Sequence, residues 1–127
     1  MEYVNILGRV IFGGYFIYGG INHFIHLKMM SGYAQSKKAP LPTASVVFTG
    51  LMLIAGGISY LFNFHLIIGS GLLILFLLSA SFMMHNFWTI TDPMQKMGEM
   101  VNFLKNFALI GALLLMLSVH YSNVVVF

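Results

Sequence analysis

The chain has 127 residues, 59% of them hydrophobic and only 7% charged, with a formal net charge of +3. A soluble domain carries about 25% charged residues, so a chain this short cannot hide so much apolar surface, and lipid must be the solvent for most of it. It contains no cysteine, which excludes disulfide scaffolds, thiolate metal sites, iron–sulfur ligation and covalent haem attachment. The pI of 9.3 rests on only six Lys and Arg. In a membrane chain that pattern means basic loops at one face and not a nucleic-acid site.

A spanning helix needs about 20 mostly apolar residues. Four segments of one domain, residues 1–127, meet that need and predict an all-α membrane protein, a four-transmembrane-helix antiparallel bundle. The first is Val4–Phe24. No basic leader region or Ala-x-Ala cleavage signal accompanies it, so it reads as a retained helix, with Glu2 before it and Arg9 inside it. A loop follows to Pro40 and Pro42, which with Thr43 and Ser45 make a good helix start. The second span is Thr43–Phe62 and the third His65–Met84, joined only by Asn63-Phe64, which forces a tight hairpin. The polar stretch His85–Asn106 comes next and holds two of the three acids, two of the six basic residues and the only Trp. Within it, Pro93 after Asp92 fits a turn or the first turn of a short helix. The fourth span is Phe103–His120.

Gly13, Gly14, Gly19 and Gly20 in the first span and Gly56-Gly57 in the second allow close helix approach. Ala55/Ser59 and Ala108/Ala112 have small-xxx-small spacing. Antiparallel threading gathers Asn22, His23, His26, His85, Asn86, Trp88, Asp92, Asn102, Asn106 and all five lysines at one face. Glu2, Asn5, Arg9, Asn63, His65, His120 and both termini fall at the other. The positive-inside rule then places the long loops in the cytoplasm and the termini outside.

Ionisable groups at the ends of spans are functional candidates. His85 reads either as a proton-handling imidazole near a ligand headgroup or as a helix-end residue beside an interfacial Trp88. Asn102, Lys105 and Asn106 share one polar stripe. Lys105 either faces inward, pairing with Asp92 or Glu99 or meeting a ligand, or snorkels to the headgroups. Arg9 lies on a stripe with Gly13, Phe16, Gly20 and His23, which turns it inward and requires a partner such as Asn63, His65 or a backbone carbonyl. No pair of histidines sits mid-span for a b-haem, and no carboxylate completes a metal site with His23 and His26. No hydrolase triad, P-loop or dinucleotide fingerprint occurs.

The run His85-Asn86-Phe87-Trp88, then Asp92-Pro93, Gln95 and Phe103 through Gly111, resembles the DoxX family of small membrane proteins. So do Leu7-Gly8-Arg9, Gly20-Ile21-Asn22-His23-Phe24, Gly32-Tyr33 before Ala39-Pro40-Leu41-Pro42, and Gly56-Gly57. Many relatives carry Glu shortly before the paired Gly of the second span, where Leu53-Ile54-Ala55 stand here. The resemblance implies a four-helix integral membrane protein. It also implies kinship with the membrane subunit of thiosulfate:quinone oxidoreductase and with redox-stress complexes. The positions it carries over are Arg9, Asn22, His85, Asn86, Trp88, Asp92, Lys105 and Asn106.

With His23, these give a candidate ligand-binding set of His85, Asn86, Trp88, Asp92, Lys105, Asn106, Asn22 and His23, and Arg9 as a structural polar residue on the second face. No catalytic residue and no metal ligand is assigned. The leading expectation is a quinone-associated or redox-linked subunit of the bacterial inner membrane. It has no covalent cofactor, and it acts with a partner subunit, itself alone or as a homo-oligomer. The alternative is a non-enzymatic membrane scaffold or small-solute transporter.

Overall fold

The computed structural model of the protein describes residues 1–126, with side chains through residue 122. Phe127, expected on the external side, lies outside the described residues. The elements are α1 (Glu2–Ile25), α2 (Leu27–Ser36), α3 (Pro42–Leu61), α4 (Leu66–Met83), a single 3-10 turn (Phe87–Thr89) and α5 (Pro93–Val126). No strand occurs among the described residues. Four segments, Glu2–Ile25, Pro42–Leu61, Leu66–Thr89 and Pro93–Ser122, are long and apolar enough to cross a membrane. The protein is an integral membrane protein.

Two elements differ from expectation. The first long loop contains the ten-residue helix α2, too short to span and polar on one side, with Ala34 buried on the other. Helix α5 starts at Pro93 and not at Phe103. Asp92 explains this early start. Its carboxylate accepts the Gln95 N–H at 2.9 Å, and its carbonyl accepts the Lys96 N–H at 2.9 Å. That is the behaviour of an N-cap, with Pro93 in the first helical position, where its missing N–H costs nothing. The polar turns before Phe103 therefore continue the spanning helix.

The chain forms two compact units, Met1–Leu73 and the residues from Ile74 onward. In the first, α1 and α3 run antiparallel with their backbones in contact. A Cβ placed on Gly13 would lie 2.7 Å from the Gly57 carbonyl, and one on Gly20 would lie 2.6 Å from the Gly50 carbonyl. The glycines are seven apart on both helices, two turns of 3.6 residues, so the two contacts fall on one seam. Phe16 and Leu53 fill that core, 1% and 3% exposed. Ala55 is exposed, so Gly56 and not Ala55 makes the small-residue approach on its side.

The turn from α3 to α4 is closed by Ser59. Its hydroxyl donates to the Phe64 carbonyl at 2.5 Å, and its carbonyl accepts the Phe64 N–H at 2.8 Å. Asn63 and His65 take left-handed conformations, with φ of 54° and 48°. The Tyr60 and Ser70 hydroxyls meet at 2.5 Å just inside the turn. In the second unit, Leu77, Ile110 and Leu113 are buried, and the aromatic residues around Phe103 close the end where α4 leaves its span.

Candidate functional site

The last turn of α4 widens as it ends. The Met84 and His85 N–H groups both donate to the Ala80 carbonyl, at 2.8 and 3.1 Å, which sets the imidazole where the chain leaves the helix. There His85 Nδ1 lies 3.1 Å from Glu99 Oε2, with the two side chains 22% and 19% exposed. Asn102 donates its amide to Glu99 Oε1 at 3.3 Å. One carboxylate oxygen is thus held by the imidazole and the other by an amide. A carboxylate on Nδ1 fixes the ring and leaves Nε2 as the atom that can exchange a proton or hydrogen bond with a ligand.

Helix periodicity places Glu99, Asn102, Phe103 and Asn106 on one stripe of α5, at offsets of 3, 4 and 7. Asn106 is 5% exposed, and Ile110 and Leu113 continue the buried stripe. Lys105, for which the sequence left facing inward and snorkelling as alternatives, is exposed. It stands one residue, about 100°, off the stripe, and Asn106 takes the inward position.

Phe103 is the hub of the aromatic group. Phe82, Phe87 and Trp88 lie 5.5, 5.5 and 5.6 Å from its ring, all edge-on, and Phe107 lies at 4.9 Å. Such edge-to-face pairs add roughly 0.5–1.5 kcal/mol each beyond their area burial. Trp88 remains 50% exposed. The Asn86 carbonyl accepts both the backbone N–H and the hydroxyl of Thr89, at 3.1 and 2.9 Å, which folds the 3-10 turn that carries Trp88.

The other candidates occupy the first unit. His23 Nδ1 is 3.0 Å from the Val46 carbonyl and 3.2 Å from the Thr49 hydroxyl. A carbonyl only accepts, so Nδ1 carries the proton. The Thr49 hydroxyl donates instead to the Ser45 carbonyl, at 2.7 Å. Asn22 is half-buried, and its carbonyl accepts the His26 N–H at 2.9 Å. Arg9 makes the bond to a backbone carbonyl that its stripe required. Its Nη1 donates to Tyr60 O at 2.9 Å, while Nε donates to Asn5 Oδ1 at 2.8 Å.

Of the candidate set, the second unit thus holds His85, Asn86, Trp88, Asp92, Lys105 and Asn106, with Asp92 serving as a helix cap. Glu99 is the residue that sequence reasoning weighed only as a partner for Lys105. Counting back from Asn106 through Asn102 by helical steps reaches Glu99, and that was the available signal. Among the described residues no three His, Asp or Glu side chains gather as metal ligands.

A family model described as DoxX matches residues 4–86, more than half of the chain. The chain belongs to the DoxX family. The DoxX match includes Arg9, Asn22, His23, His85 and Asn86 and stops before Trp88, Glu99 and Lys105. No curated protein and no solved structure matches the chain.

Proposed function

We propose that this DoxX-family protein is a quinone-associated, redox-linked membrane subunit that acts with a partner, with His85 as its ligand-facing group. The observation that carries the reading is the His85–Glu99 pair, 3.1 Å apart and about four-fifths buried at the end of a spanning helix. A carboxylate-backed imidazole is a proton-handling group at neutral pH. Its Nε2 suits a ligand carbonyl, and the half-exposed Trp88 beside the Phe103 group offers an aromatic face to a planar ring. A bound quinone would supply two-electron, two-proton exchange with the membrane pool. Glu99 orients His85, and Asn102 orients Glu99. A chain without cysteine performs no sulfur redox chemistry unaided, so the electrons come from a partner.

Titrating the detergent-purified protein with a short-chain quinone should quench Trp88 fluorescence. His85→Ala should weaken the binding by roughly tenfold, the loss of one hydrogen bond of about 1 kcal/mol or more. No quenching in the native protein, or an unchanged titration in His85→Ala, leaves the scaffold or transporter reading ahead. The same proposal sets the protein in a bacterial inner membrane with its lysine-bearing loops in the cytoplasm. A reporter fused after Phe127 should then be active only outside the cell, and cytoplasmic activity reverses the orientation.

A further inference from the structure

In the second unit, α5 from Met97 to Phe107 has the reverse of the polarity of a helix in water. Its inward stripe is polar, with the Glu99 side chain 19% exposed, Asn102 half-buried and Asn106 buried. Its outward side is apolar, and Met97, Val101 and Leu104 are each more than half exposed. A surface helix of a soluble protein turns its apolar stripe inward. The reversed order suits a helix surrounded by hydrocarbon, whose polar groups must be satisfied inside. The outward side carries one charge over this stretch, Lys105, whose long stem reaches toward the headgroups. About 20 residues cross the hydrocarbon, and counting that many back from Val119, at the end of the apolar run, reaches Met100. Glu99 and its partner His85 thus stand at the edge of the hydrocarbon, with Phe103 and Asn106 inside it.

The rings next to this pair are uncovered. Phe82, Trp88 and Phe107 are 53%, 50% and 38% exposed. Phe82 lies 5.5 Å from Phe103 and 6.0 Å from Phe107, so the rings bridge α4 and α5 at this level. Along α5, Glu99, Phe103, Phe107 and Gly111 follow at steps of four and wind gradually outward. A Cβ on Gly111 would meet nothing within 4 Å, so the aromatic surface runs into a notch one turn deeper. A path therefore leads from the imidazole across the rings into the span without crossing the headgroups.

We infer that this site is entered sideways from the lipid by a membrane-dissolved ligand with a hydrocarbon tail. The ring lies on the aromatic surface below His85, and the tail runs over Phe107 into the notch at Gly111. Gly111 lies about 12 Å along the helix from Phe103, the reach of a tail of about ten carbons. A polar soluble ligand would meet apolar side chains at this opening, and its lost hydration would go unrewarded there. The inference rests on His85 as the ligand-facing group and adds the route and the tail.

The full chain in detergent can be photolabelled with a benzoquinone whose decyl tail ends in a diazirine, and the adducts mapped by peptide mass spectrometry. Adducts should concentrate within residues 107–114, and an excess of the tail-less quinone should remove them. Gly111→Phe fills the notch and should lose most of this labelling without shifting the detergent-unfolding midpoint. Gly8→Phe, at an equally open glycine on α1, should keep it. Adducts spread over all the spans and undisplaced by the tail-less quinone overturn the inference, as does unchanged labelling in Gly111→Phe. Either result leaves the quinone reading standing if the tail-less quinone still quenches Trp88. No quenching by the tail-less quinone overturns that reading, and this inference with it. The displacement is read in the native chain, so it decides without any variant.

Discussion

The seam between α1 and α3 and the exit of α4 solve opposite problems. Along the seam, helix backbones meet directly. Gly13 faces the Gly57 carbonyl and Gly20 the Gly50 carbonyl, with no room for a side-chain carbon. At the α4 exit, side chains fill the space. An imidazole, a carboxylate and an amide meet there, with five aromatic rings packed beside them in the same unit. In lipid, no hydrophobic effect draws helices together, so close backbone packing is a principal source of helix association. A backbone contact made that way has no volume left for a ligand. At the α4 exit, side chains and not backbones make the contacts.

The contrast can be broken at its rigid side first. Gly57→Val puts a branched side chain against the Gly13 carbonyl and the Ile17 side chain, both 2.7 Å from its Cβ position. It should cost about 3 kcal/mol, the upper range for overpacking, read as a fall in the midpoint of detergent unfolding followed by circular dichroism. Gly14→Ala, with nothing within 4 Å of the new carbon, is the control and should change stability by less than about 0.5 kcal/mol. If both variants lose stability equally, the seam is not the source of α1–α3 packing.

The side-chain region should respond more mildly and in a coupled way. In a double-mutant cycle of His85→Ala and Glu99→Gln, the unfolding free energies should fall short of additivity by about 1 kcal/mol. Additive losses would mean that the 3.1 Å contact contributes nothing as a pair. The smallest effect belongs to Asp92→Ala, which removes an exposed cap and should cost about 0.5–1 kcal/mol. Faster amide exchange confined to the first turn of α5 should accompany it, and exchange spread along the whole helix would argue against a local capping role.

Much of the fold was legible because spanning helices have a length and composition that little else shares. The expected Thr43–Phe62 and His65–Met84 lie within a residue of α3 and α4 at each end, since Pro42 and the Asn63 turn punctuate the apolar runs. The partner of Arg9 was legible in kind, because its glycine-lined stripe had to face another helix. Two features were not legible, for one reason. Both α2 and the first turns of α5 are helical without being apolar, and hydropathy reports burial in lipid, not backbone conformation. Starting the fourth span at Phe103 left Glu99 in a loop with no helical phase, and so with no way to pair it with His85. The two alternatives for Lys105 have a different origin. Asn102, Lys105 and Asn106 span more than one face, and polarity alone does not say which of two adjacent residues turns inward.

The turn between α3 and α4 bears on how the protein is made. Only Phe62, Asn63, Phe64 and His65 separate the two helices, and Ser59 and Tyr60 bond across to Phe64 and Ser70. A span emerging alone would have to hold its trailing end in water until its successor arrived. Here the successor follows within a single turn of chain, and the connecting backbone already satisfies part of its own hydrogen bonding, as the bilayer demands. The connecting segment is four residues long and carries no carboxylate or lysine. Helices α3 and α4 are thus tied at one end by a turn that needs little from the solvent around it.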